Sequence, residues 1–170
     1  MDDEPFRLAA IVFDRDEDPD APLAEFLDAL GRRGLRVAGL VQEHGDGEHD
    51  ISVRNLTTGE RFGVMQDLGK AAEGCRVDPV AVAVAARQLA DALRGRPDLV
   101  VANRFGRLES EGGGLIAEIG EAVVEGIALI VCVPQRYLEA WNAFAGGLDR
   151  QLSPGREALE GWWASLASAA

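Results

Sequence analysis

The chain has 170 residues, 47% of them hydrophobic and 27% charged, with a formal net charge of -12. That length fits one domain with a substantial core. The acidity excludes a nucleic-acid backbone or an anionic membrane surface as the main partner. No apolar run is long enough for membrane insertion, and the acidic opening Met1–Glu4 offers no basic leader, so a cytoplasmic protein is expected. Two cysteines, Cys75 and Cys132, are too few for a disulfide framework or a four-thiolate zinc site.

In chain order, Arg7–Phe13 (RLAAIVF) is a continuous apolar run that reads as a buried strand. After the acidic stretch Asp14–Asp20, Leu23, Phe26, Leu27 and Leu30 recur at helical spacing, with Gly31 and Gly34 at the far end. Leu35–Val41 is a second strand. Ile51–Leu56 and Arg61–Met65 flank the turn Thr57–Glu60, which predicts an antiparallel hairpin inserted into a parallel sheet. Gln66–Val77 reads as loop. Asp78-Pro79 then gives a helix cap followed by proline at the first helical position.

Asp98–Ala102 is the next strand, and Leu115–Val124 a helix that Gly126 should end. Ile127–Val133 is apolar throughout, as in a strand covered on both faces. Pro134 should open a helix carrying Tyr137, Leu138, Trp141 and Phe144, and Ser153-Pro154 a last one with Leu159, Trp162, Trp163 and Leu166. Strands alternating with helices predict a three-layer α/β domain with a mostly parallel sheet and an inserted antiparallel hairpin, spanning the whole chain.

In such sheets ligands bind beyond the carboxyl ends of the strands. The loop after Phe13 reads DRDEDPDAP and lacks the glycines, lysine and serine or threonine of a phosphate-binding loop. Asp14, Asp16, Asp18, Asp20 and Glu25 match the spacing of calcium-loop ligands, but Pro19 stands where that loop needs glycine. A solvated acidic loop leading into an acidic first helical turn is the plain alternative.

The stretch after Ala102 is the stronger candidate. Asn103, Arg104 and Arg107 supply polar and cationic groups, and the Gly112, Gly113 and Gly114 amides would open a helix start, where anions are favoured. Glu109 and Glu111 oppose an anion unless they hold the arginines; a glycine-rich connection with surface ion pairs is the alternative. Cys75 beside Arg76, just before the Asp78 cap, is a candidate thiolate or metal ligand, whereas Cys132 should lie in the core. The turn His44–Asp50 carries metal-capable side chains on a solvated, glycine-containing segment. Trp162 and Trp163 cannot share one narrow helical stripe, so one would be exposed and serve a homo-oligomer contact, or the buried face is wide. The residues specify no cofactor.

RGLRVAGLVQ (Arg33–Gln42), QDLG (Gln66–Gly69), GCRVDP (Gly74–Pro79), NRFGRLESEG (Asn103–Gly112) and VPQRYLEAWNAFAGGL (Val133–Leu148) together resemble a bacterial family of unknown function. Its members are often encoded near molybdate-transport or molybdoenzyme genes. That family is in turn similar to small P-loop nucleoside triphosphatases with the same inserted hairpin, which implies a P-loop-like fold. In those hydrolases the strand before this loop ends in a magnesium-associated Asp-Glu pair; the matching positions here are Asn103 and Arg104. With the phosphate loop also missing, the resemblance implies a degenerate hydrolase scaffold.

The leading expectation is therefore a non-catalytic or weakly catalytic accessory protein that binds a small oxyanion such as molybdate. Asn103, Arg104, Arg107 and the amides of Gly112–Gly114 would form the site, with Cys75 and Asp78 nearby. The alternatives are a nucleotide binder or triphosphatase with a rebuilt site, and an assembly factor for a protein partner in molybdenum metabolism.

Overall fold

The computed structural model describes residues 6–44, 51–63, 65–66 and 76–168. Strands β1 (Leu8–Phe13), β2 (Val37–His44), β3 (Ile51–Asn55) and β4 (Arg61–Gly63) come first, with helix α1 (Asp20–Arg32) between β1 and β2. A detached pair, β5 (Met65–Gln66) and β6 (Arg76–Val77), precedes α2 (Pro79–Arg94) and β7 (Leu99–Arg104). The chain continues through α3 (Arg107–Ser110), α4 (Ile116–Glu125), β8 (Leu129–Pro134), α5 (Leu138–Ala145), β9 (Asp149–Leu152) and α6 (Arg156–Ser168). The main sheet has seven strands in the order β4-β3-β2-β7-β8-β1-β9. β2, β7, β8, β1 and β9 run parallel, and β3 and β4 extend one edge antiparallel, as the hairpin pattern predicts.

Alternation along the central strands explains their uninterrupted apolar sequence. Leu8 and Ala10 face one core with Leu129, Val131 and Val133, while Ala9 and Ile11 face a second with Ile130 and Cys132. The first core is closed by Ala85 and Leu89 of α2, Ile119 of α4 and Trp141 of α5. The second is closed by Leu23, Phe26 and Leu30 of α1 and by Leu159, Trp162 and Leu166 of α6. Both faces are thus covered, and every strand residue in between must be apolar. Each fully buried large side chain contributes about 1.5–3 kcal/mol of transfer free energy.

The caps read from the sequence are present. Asp78 accepts from the Val80 amide at 2.9 Å with Pro79 next to it, and Gly126 ends α4 in the left-handed conformation. Asn55 ties the hairpin down: its Oδ1 accepts from the Thr57 and Thr58 amides, and its Nδ2 donates to Gln88 on α2.

Four expectations are corrected. β7 runs two residues past Ala102, to Arg104. Pro134 ends β8 rather than opening a helix; a short 3-10 turn, Gln135–Tyr137, precedes α5 because the proline sits in extended backbone. The extended piece Arg61–Met65 is divided, with β4 ending at Gly63 and Met65 pairing with Val77 in the small second sheet. β9 was not foreseen: a polar edge strand with Leu152 as its buried residue gives no alternating signal. The tryptophan question resolves to a wide buried face, since Trp162 is buried and donates to the Phe6 carbonyl, and Trp163 packs edge-on against Phe26.

β2 and β7 approach closely at Gly39, whose φ is 112° and whose added Cβ would lie 2.1 Å from the Val101 carbonyl oxygen. That contact is with backbone in the middle of the sheet, so it has no flexible way out. Gly39→Ala should lower unfolding stability by about 2–4 kcal/mol in urea melts, whereas Gly31→Ala, on an open helix surface, should be neutral or stabilising.

Candidate functional site

The parallel strands all end on one edge of the sheet, and α1 and α2 begin there. The geometry of that edge is set by an irregularity in β7. Val101 pairs with Ile130, but the next register partner of Cys132 is Arg104, so β7 uses one residue more than β8 over this span. Asn103 takes up the excess in the left-handed region, φ 68°. A one-residue bulge reverses which face the following side chain uses. Without it, Arg104 would share the face of Val100 and Ala102; with it, Arg104 falls over Cys132 on the α1 side.

There Arg104 makes a two-pronged contact with Asp20, the first residue of α1, at 2.9 and 2.8 Å. Its guanidinium carbon lies 4.8 Å from the centre of the Phe13 ring, a favourable cation–π distance. Both partners are largely buried, 17% and 16% exposed. His44, from the end of β2, places Nε2 3.1 Å from the same Asp20 carboxylate. The ends of β1, β2 and β7 therefore meet at the first turn of α1. Burial by itself would lower the Arg104 pKa, but the contacts with Asp20 and with Cys132 outweigh it, so the pKa is raised and the group stays charged. Cys132 lies beneath, and burial pushes its thiol up to about 12 despite the nearby guanidinium.

The acidic loop before α1 turns its carboxylates onto its own backbone. Glu17 accepts from the Asp14 amide, Asp14 from Arg15, and Asp18 from Asp20 and Ala21. The calcium-loop spacing is thus not gathered around a centre, and among the described residues no group of three or more His, Cys, Asp or Glu side chains is arranged to hold a metal ion. Magnesium and a nucleotide triphosphate, which the fold suggests, do not fit this donor set. A carboxylate stands at the start of α1, and a cation stands at the end of β7 where a metal-binding acid would be needed.

The remaining sequence candidates are dispersed. Arg107 is 80% exposed and pairs with Glu111 at 3.3 Å. The Gly112 and Gly113 amides donate to the Glu109 and Leu108 carbonyls. Glu109 fills the space beside Gly114, where an added Cβ would meet its Oε2 at 1.5 Å, and accepts from the Gly106 and Leu115 amides. Gly114 is therefore packed against the chain's own carboxylate. Asp78 lies on the same edge but caps α2. Asn103 Oδ1 is a buried acceptor without a hydrogen-bond partner among the described residues, as is Glu118 Oε2 in the first turn of α4. Cys75 and 45–50 of the His44–Asp50 turn lie outside the described residues. Sequence reasoning missed Asp20 as the partner of Arg104 and missed His44 beside it; the only signal was an acid at the first position of the first helix.

The fold is that of the P-loop nucleoside triphosphatases: a mostly parallel α/β sheet with an antiparallel strand pair at one edge. Two solved structures share it. One is the crystal structure of THEP1 from the hyperthermophile Aquifex aeolicus, with TM-score 0.64, 13% identity, and 94% of this chain and 98% of that one covered. The other is the solution structure of a human cancer-related nucleoside triphosphatase, with TM-score 0.68, 14% identity, and 96% and 99% covered. Residues 8–162 match the family described as a protein of unknown function (DUF2478), and the chain belongs to that family. It is also 35% identical over 169 residues to a molybdenum import ATP-binding protein, ModC 2, of Bradyrhizobium diazoefficiens, covering 97% of this chain and 19% of that protein. The chain thus spans about a fifth of the length of this relative. Among the described residues no helix is long and apolar enough to cross a membrane.

Two outcomes follow. Arg104→Ala or Asp20→Asn alone should cost about 1–3 kcal/mol, because each leaves a mostly buried partner unmatched. The pair Asp20→Asn with Arg104→Met should recover much of that loss, measurable as a coupling energy in a double-mutant cycle. Cys132 should resist iodoacetamide at pH 8 in the folded protein and react after denaturation.

Proposed function

We propose that the chain is a non-hydrolytic accessory module in molybdenum metabolism, built on a P-loop triphosphatase scaffold, that binds a small oxyanion such as molybdate at Arg104. The observation carrying this reading is that Arg104 is held at the carboxyl edge of the sheet, over the first turn of α1, by a single carboxylate. A planar guanidinium presents paired donors that suit an oxyanion as well as a carboxylate, and a helix start adds favourable dipoles. Binding would be an exchange in which the anion replaces Asp20 on Arg104 and Asp20 keeps its contact with His44. Arg107 would lie at the rim, and Asn103, Asp78 and the Gly112–Gly114 turn would border the same edge. The similarity to a molybdenum import ATP-binding protein supports the choice of oxyanion and the expectation of a protein partner in that system.

Calorimetric titration with molybdate, tungstate, sulfate and phosphate tests the exchange. Asp20→Asn should tighten molybdate binding by about tenfold or more, since it removes a competing charge worth at least 1.4 kcal/mol. Arg104→Ala should abolish it. Absence of binding to both the native chain and Asp20→Asn overturns the reading.

A nucleotide binder with a rebuilt site is the second reading, favoured by the fold shared with a structure described as a nucleoside triphosphatase and by the relative's description as ATP-binding. It requires that ATP or GTP raise the melting temperature. Phosphate release from either would replace the non-hydrolytic proposal.

A further inference from the structure

The sheet is wider than the helical layer on its α1 side. α1 packs against β2 and α6 against β9, while β3 lies on the far side of β2, beyond the strands those helices contact most. Along that step lies a groove of about 460 Å³ lined by Leu27, Asp28, Gly31, Arg32, Val37, Arg54 and Leu56. Leu27, Val37 and Leu56 make an apolar floor, and Leu56 is held there by its amide, which donates to the Gly39 carbonyl at 2.9 Å. The volume lies within the range of small-molecule sites.

The charges at the rim are not equivalent. Arg54 is committed to Glu43, which also takes Arg61; those two hydrogen bonds hold the Glu43 carboxyl below its ordinary pKa. Nearby, Arg33 pairs with Glu160, and Arg36 donates to the Gly95 and Arg96 carbonyls. Arg32 has no ion pair or hydrogen-bonded side-chain partner among the described residues, not even Asp28 one turn earlier. In a chain of net charge -12 this leaves a cation beside an apolar floor.

We propose that this groove binds a small amphipathic carboxylate, its hydrocarbon part on Leu27, Val37 and Leu56 and its carboxylate on Arg32. The site is separate from Arg104 and does not depend on the function proposed there. Asp28 opposes the ligand's charge from one side, so the affinity is modest and selective for a singly charged headgroup placed at Arg32.

Gly31 makes the test clean. Gly31 lines the groove, and nothing lies within 4 Å of a Cβ added there, so a larger residue at this position is accommodated without a backbone clash. Backbone amide NMR titration compares hexanoate with the neutral hexanol. Hexanoate should give saturable shifts at Gly31, Val37 and Leu56 at millimolar concentration, with hexanol about fivefold weaker. Arg32→Gln should erase the difference between the two ligands, and Gly31→Phe should abolish both sets of shifts while its melting temperature stays at or above that of the native chain. Absence of saturable shifts overturns the proposal. So does equal binding of hexanol to the native chain, or undiminished hexanoate binding in Gly31→Phe.

Discussion

The contact between Arg104 and Asp20 depends on the extra residue in β7. A parallel strand between two covered faces has no room for a guanidinium, so the charge must leave the core where the strand ends. The bulge at Asn103 does this by turning Arg104 to the α1 side, where Phe13 and Asp20 receive it. Left-handed backbone at a residue other than glycine carries a cost of about 1–3 kcal/mol. The two-pronged, largely buried pair is the interaction that offsets it. Strand register, helix start and charge are therefore coupled at one point.

That coupling differs from the arrangement of charges that triphosphate hydrolysis uses. Hydrolysis of a triphosphate needs open amides and a cation at the helix start, and an acid for the metal at the neighbouring strand end. Here the signs are exchanged: the carboxylate is on the helix and the cation on the strand. The loop that leads from β1 into α1 spends the Asp14, Glu17 and Asp18 carboxylates on its own amides. Glu109 does the same for the turn before α4, where it takes the amides of Gly106 and Leu115. Both positions that would attract an external anion hold an internal one, at a separation set by covalent connection rather than by solution concentration. On the proposed reading an external oxyanion would therefore have to compete, with an affinity that depends on how firmly Asp20 is held.

The layers of the fold were legible in the sequence because burial on both faces leaves a continuous apolar run, as in Ile127–Val133, and because Asp78-Pro79 and Gly126 announce helix ends chemically. At the carboxyl edge of the sheet the sequence marks the residues but not their arrangement. Asn103 and Arg104 were singled out as neighbours, yet the face on which Arg104 emerges is a property of its pairing with β8, and no local pattern reports it. Gly112–Gly114 looked like an open anion turn because a glycine run signals a close approach without naming what approaches. The approaching group is Glu109, five residues earlier. β9 escaped notice because an edge strand needs only one buried side chain, Leu152, to dock.

The same reasoning explains why the two candidate binding regions lie where they do. α1 begins at the carboxyl edge, where Asp20 meets Arg104, and ends at the opposite edge, where Arg32 overlooks the apolar step onto β2 and β3. A helix carries partial positive charge at its start and partial negative charge at its end. An acid at the first position and an arginine in the last turn are therefore both favourable for the helix itself. Asp20 goes further and satisfies a buried cation, while Arg32 has no ion-pair partner among the described residues. The start of α1 is committed to internal stability, and its end carries the charge to which the proposed carboxylate would bind.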